Sequence, residues 1–203
     1  LGRTPPIDFL QLVTTCPIFR GETGTLTTSV SKNGSFHGKG AQHMPTRALN
    51  HVSIVAKNLE ESVRFYEEVF GLVRIPTPNF GHPVQWLRVG DLQLHLFERP
   101  EDARRYAHFA LTVDNLPAIY EKAYERGCLD SDAFSHFLVE LPNGNVQLYL
   151  RDPAGNLIEV DYPNAELLPP ELRAQCVRLA DRHPQNEWNL QATLFLAPVS
   201  AQC

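Results

Sequence analysis

Several things are scarce in this 203-residue sequence. Its four cysteines, Cys16, Cys128, Cys176 and Cys203, are scattered and form no CxxC pair. That spacing argues against a zinc knuckle or a dense disulfide framework, and we read the thiols as reduced. No stretch approaches the ~18 apolar residues of a membrane helix, and the first residues lack a basic segment followed by an apolar one and a small-residue cleavage site. A cytoplasmic protein with no membrane partner is the expectation. Lysine and arginine number 18 against 23 acidic side chains, and no basic stripe is present. A nucleic-acid surface is therefore not expected, and a small-molecule partner is. Methionine occurs once, as Met44, just before the first patterned segment. The natural chain is expected to start there, with residues 1–43 an upstream reading; a genuine leader is the other possibility.

What is present falls into three parts. Residues 1–46 are rich in Gly, Ser, Thr and Lys between Gly21 and Gly40 and show no sustained period, so a disordered or loosely attached extension is expected. Residues 47–163 carry an internal repeat. Residues 164–203 form a separate tail that begins with a stiff Pro169-Pro170 step. In it Leu172, Cys176 and Leu179 make a short amphipathic stripe, and Asn189–Leu196 reads as an added strand or extended cover.

The repeat is the strongest signal. His51 opens HVSIVAKNLEESVRFYEEVFG and His108 opens HFALTVDNLPAIYEKAYERG, each reaching Asn-Leu seven residues on and entering a helical pattern closed by glycine. In the first copy Asn58 with Glu61 reads as a helix cap, and Leu59, Val63, Tyr66 and Phe70 share one helical face before Gly71. Strands are expected at Val84–Val89 and Leu92–Phe97, with a weaker one in the proline-interrupted Val73–Phe80. The second copy repeats the order, with a strand at His108–Val113, a cap at Asp114, a helix to Arg126, and strands near Phe137–Leu141, Val146–Arg151 and Leu157–Tyr162. Each half reads as a βαβββ module, about 47–100 and 105–163. Repeated modules pair about a pseudo-twofold axis, so equivalent residues converge on a shared cavity.

Strand alternation gives the histidines a direction. His51 shares a face with Ser53 and Val55, and His108 with Ala110 and Thr112, in each case the smaller, more polar face. His95 lies opposite Leu92, Leu94 and Leu96, and Glu159 lies opposite Ile158 and Val160. Imidazole and carboxylate are preferred ligands of first-row divalent metals, and a two-His-one-carboxylate set leaves positions open for substrate or oxygen. His51, His95, His108 and Glu159 are thus the candidate ligands, with Glu98 a substitute for His95 if the register differs. Gln147 and Tyr149, alternating near the site, are candidates for orienting substrate, ordinary packing being the alternative. Arg88 and Arg151 occupy matching places in the two halves. His37, His43, His82, His136 and His183 are read as surface residues.

LNHVSIVAKNLEESVRFYEEVFGL, WLRVGDLQLHLFE, HFALTVDNL and RDPAGNLIEVDY together resemble the vicinal oxygen chelate superfamily, the group of glyoxalase I, bleomycin-resistance proteins and extradiol dioxygenases. The resemblance implies an α+β fold in which two paired βαβββ modules form a curled mixed sheet around a metal cavity, here with a C-terminal extension. It places ligands at His51, His95, His108 and Glu159, the second of these slots often being Glu in glyoxalase I-like members. It also implies a divalent ion, Zn, Ni, Fe or Mn, a small substrate with vicinal oxygens, and a possible homodimer. The chemistry expected is of lyase or isomerase type, with Glu159 as the base that takes a proton beside a polarised carbonyl. An extradiol-type ring-cleaving dioxygenase is the next reading, and a metal-free module that sequesters a small drug-like ligand is the third.

Overall fold

The computed structural model describes residues 48–195; the expected N-terminal extension and Met44 lie outside that range. Module one runs β1 (His51–Ala56), α1 (Leu59–Phe70), β2 (Val73–Ile75), β3 (Val84–Val89) and β4 (Leu92–Glu98). Module two repeats it as β5 (His108–Thr112), α2 (Leu116–Glu125), β6 (Leu138–Glu140), β7 (Val146–Arg151) and β8 (Leu157–Tyr162). The duplication extends to topology. One sheet has the order β1-β4-β3-β2 and the other β5-β8-β7-β6, with β1 parallel to β4 and β5 parallel to β8. The remaining pairs within each module are antiparallel. The sheets are mixed, as expected, and each module keeps its own open sheet.

Helix α1 begins where the side chain of Asn58 accepts from the backbone N–H of Glu61. The N–H of Leu59 is taken by the Glu98 carboxylate at 2.8 Å, so Glu98 serves the start of this helix. At the other end Gly71 adopts φ 69°, a left-handed conformation that a side chain would strain, and its N–H returns to the Glu67 carbonyl. In module two the cap is Asn115 and not Asp114: its side-chain oxygen accepts from the N–H of Ala118 at 3.1 Å. Strand β2 stops at Ile75 because Pro76 follows, without an N–H to continue the ladder.

The apolar faces meet in one core. Leu87, Leu94 and Leu96 of the first sheet lie under Val63, Tyr66 and Val69 of α1, and Leu148, Leu150, Ile158 and Val160 of the second sheet join Leu116, Ile119 and Ala123 of α2 in the same cluster. The modules are also joined by polar contacts. Lys122 Nζ donates to the carbonyls of Glu68 and Val69 at the end of α1, Asn156 Nδ2 donates to the Val55 carbonyl, and the Tyr66 hydroxyl donates to Asp152 Oδ2 at 2.8 Å. Asp152 and Tyr66 are both buried, and burial raises the pKa of each. Tyr66→Phe keeps the ring and removes one donor to a buried carboxyl. A loss of about 1–3 kcal/mol in urea unfolding is expected, and an unchanged midpoint would show that this contact does not tie the modules.

The tail departs from the sequence reading at one point. Its strand is Val177–Arg178, β9, which pairs parallel with β6 at Val139 and Glu140 and makes the second sheet five-stranded. Residues 189–191, expected to be extended, form a short 3-10 turn. Leu172 is buried within the short helix α3 (Pro170–Arg173) and packs into the core with Cys176. A further one-turn helix, α4 (Leu179–Arg182), follows β9.

Candidate metal centre

The residues expected to bind metal come together as two pairs. His51, at the start of β1, lies over His95 of β4, with the rings stacked at a centroid distance of 4.2 Å and an interplanar angle of 14°. The reason lies in the register: His95 is the Cα partner of Ser53, so His51 and His95 are diagonal neighbours on the face away from α1. In module two His108 Nε2 stands 3.5 Å from Glu159 Oε2. Within the described residues no group of three or more His, Cys, Asp or Glu side chains is close enough to share a metal ion. Each pair lies on the face of its own module's sheet that is turned away from the core.

Each histidine is held in the same manner. His51 Nδ1 is 2.9 Å from Asn50 Oδ1, His95 Nε2 is 2.9 Å from Gln93 Oε1, and His108 Nδ1 is 2.9 Å from the Tyr106 carbonyl. An oxygen acceptor at one ring nitrogen fixes that nitrogen as N–H and leaves the other as a lone-pair donor, the usual arrangement of a metal-ligating imidazole. Among the described residues the ring nitrogens left without a hydrogen bond are then His51 Nε2, His95 Nδ1 and His108 Nε2, the last of them 3.5 Å from Glu159 Oε2. Burial first, and the charge of His51 second, lower the His95 pKa, so its neutral, ligating form is favoured. The donor set of three imidazoles and one carboxylate fits a divalent first-row ion.

Glu159 is buried, and Gln147 Nε2 donates to its Oε1 at 2.5 Å. Tyr149 is its direct partner across the β7–β8 ladder, and burial followed by the Glu159 carboxylate raises the phenol pKa. The two residues expected to orient substrate thus both adjoin the carboxylate. Arg151 does not turn to the site: its Nε donates to Asp130 at 2.6 Å and its other nitrogens to the carbonyls of Gly155 and Arg105. Glu98, bound to α1, is likewise turned away.

Sequence reasoning missed several neighbours. Asp161, two residues after Glu159 and on the same face, is 6% exposed, and its pKa is pushed up to about 7 by burial and then by the adjacent Glu159 carboxylate. Strand alternation could have found it. Trp86 is the β3 partner of His95 and stacks on it at 4.2 Å, a contact that depends on strand register. Of the histidines read as surface residues, His82 and His136 are half-buried, each with one ring nitrogen enclosed and unpartnered, whereas His183 is exposed. His136 approaches Tyr149 at 6.0 Å, and Phe134 approaches both Tyr149 and His108. His37 and His43 lie outside the described residues.

A family model, that of the Glyoxalase/Bleomycin resistance protein/Dioxygenase superfamily, matches residues 48–160, which is more than half of the chain. The chain belongs to this superfamily. Its similarity to a protein named Glyoxylase I 4 from Arabidopsis thaliana is 29% identity over 124 residues, covering 56% of this chain and 69% of that one. The metallothiol transferase FosB of Shouchella clausii (strain KSM-K16) is 27% identical over 119 residues, covering 55% of this chain and 77% of that one. Among solved structures, a lactoylglutathione lyase from Agrobacterium tumefaciens aligns at 25% identity and a TM-score of 0.45 over 58% of this chain and 95% of that one. Oxidase ChaP-H2 aligns at 22% identity and a TM-score of 0.49, over 60% of this chain and 97% of that one. The superfamily includes glyoxalases and dioxygenases. In this member no described helix is long and apolar enough to cross a membrane.

Proposed function

We propose that the chain is a glyoxalase-like metalloenzyme of the cytoplasm that acts on a small substrate bearing vicinal oxygens, with lyase or isomerase chemistry. The observation that carries this reading is the common tethering of three imidazoles, each with one nitrogen on an oxygen acceptor and the other without a hydrogen bond among the described residues. His51, His95, His108 and Glu159 would hold the ion. Because the pairs lie on separate modules, the complete set needs a second copy of the chain, whose His108 and Glu159 meet the first copy's His51 and His95. When bound, a divalent ion supplies Lewis acidity, polarising a carbonyl and stabilising the negative charge that develops beside it.

The rest falls to the protein. Glu159 takes the proton from the carbon next to the polarised carbonyl and returns it to the neighbouring position. Gln147, donating to Oε1, fixes the carboxylate and leaves Oε2 on the His108 side for that transfer. Tyr149, whose raised pKa keeps the phenol protonated, offers a donor to a substrate oxygen.

Mixing inactive copies tests the arrangement. One chain carries His51→Ala with His95→Ala, and the other carries His108→Ala with Glu159→Ala. Each alone is expected to be inactive and free of metal, while mixed dimers regain one intact site per pair. Mixed dimers that recover neither metal nor turnover would overturn the shared site. Oxygen consumption with a catechol by the iron-loaded parent would move the assignment to a ring-cleaving dioxygenase. Tight ligand binding by protein that retains no added metal would favour a sequestering module.

A further inference from the structure

The face of module one's sheet turned away from α1 carries, beside the candidate ligands His51 and His95, further rings that metal binding does not account for. Trp86 stacks on His95 at 4.2 Å and 6°, and His95 stacks in turn on His51. Phe80 lies 6.0 Å from Trp86 and 6.5 Å from Phe97, and His82 lies 5.9 Å from Phe97. None of Trp86, Phe97 or Phe80 joins either apolar cluster of the described residues, and Phe80 is 46% exposed. Module two differs on the corresponding face, where Ala133, Phe134 and Leu179 pack with Tyr149, Val139 and Leu157 and supply a built-in cover. Within the module-one set two nitrogens, Trp86 Nε1 and His82 Nε2, are enclosed and have no hydrogen-bond partner among the described residues. A buried donor lacking an acceptor destabilises the free protein, and a ligand oxygen supplies what is missing. Charge narrows the ligand further. Arg88 is the only cation among the strand residues facing this side, and it donates to the Gly90 carbonyl, so a polyanionic ligand finds little to pair with.

From this we infer that the body of the substrate is a planar, uncharged aromatic ring that packs against the Trp86, Phe97 and Phe80 rings and accepts the indole N–H of Trp86 through an oxygen substituent. Offset or edge-on packing of aromatic rings supplies the affinity, and the indole donor fixes the ring's orientation. That this ring seat adjoins the reacting centre rests on the metalloenzyme reading above; that it takes a ring does not.

The sequence holds two tryptophans, Trp86 and Trp188, so Trp188→Phe leaves one indole N–H signal in the nitrogen-15 correlation spectrum. Full-length protein is titrated anaerobically with catechol, with phenol, and with acetoin, which has adjacent oxygens and no ring. Catechol and phenol are expected to shift the Trp86 signal and acetoin to leave it in place. Trp86→Leu should weaken phenol binding at least about tenfold, and Trp86→Phe, which keeps a ring and loses the donor, should weaken it less. If catechol binds only with added divalent metal, phenol does not bind, and the Trp86 signal stays fixed, the ring seat is overturned while chelation stands. If phenol shifts the signal and no ligand responds to metal, the seat stands and the metalloenzyme reading falls. Equal phenol affinity in the parent and in a folded Trp86→Leu protein also overturns it.

Discussion

His108→Ala is expected to lose bound metal and activity together, with turnover falling about a hundredfold or more. Among the described residues the His108 imidazole is the one that stands beside Glu159, with Nε2 3.5 Å from Oε2, and its Nδ1 is held by the Tyr106 carbonyl. His136 packs on Tyr149 at 6.0 Å rather than on Glu159, and its pKa is lowered chiefly by burial. The fold should survive. His108 is exposed, lies outside both apolar clusters, and is replaced by a small residue at the first position of a strand. Metal content by elemental analysis and unfolding midpoints separate the two effects. His108→Ala protein that keeps a full complement of metal would remove this histidine from the ligand set. Tyr149→Phe makes the matching control, expected to change substrate affinity more than metal content.

Much of the fold was legible because the sequence states its module twice. Two strands opening on histidine, each followed seven residues later by Asn-Leu, correctly predicted two copies of one topology, and the strand alternation correctly set His95 and Glu159 on the faces opposite the core leucines and isoleucines. The cap at Asn58 was readable for the same local reason, a short side chain three residues before the N–H that it receives. What was not readable depends on contacts between distant segments. Nothing local says that Glu98 closes the start of α1, whereas the Asn115 cap was open to reading from its match with Asn58 in the repeat. The tail strand was misplaced because a two-residue β9 exists only through its pairing with β6. Pairing also explains the site's division. Periodicity places a side chain on a face, but the distance between the faces of two modules is set by how α1 and α2 share a core, which no spacing records.

Glu159→Gln gives the sharpest test of the chemistry. If the carboxylate is the base, the variant should exchange the substrate's α-proton with deuterated solvent about 10²–10⁴-fold more slowly, once rates are normalised to bound metal. The amide is isosteric and can still present an oxygen to Gln147 Nε2, so the side chain keeps its place while losing its basicity. Metal-free protein supplies a second readout. Asp161 is raised to about 7 by burial and then by Glu159, above its ordinary value of 3.8, so the folded state holds a proton that the unfolded chain releases. The contribution to stability is therefore full below the unfolded value and is lost as pH rises through about 7. Glu159→Gln removes the neighbouring charge, brings the Asp161 pKa down, and should flatten this decline of the melting temperature between those two values. Slow exchange with a flattened stability profile would identify Glu159 as both the base and the partner of Asp161. Unchanged exchange at full metal occupancy would leave the ion's Lewis acidity in place and assign the proton transfer to another group.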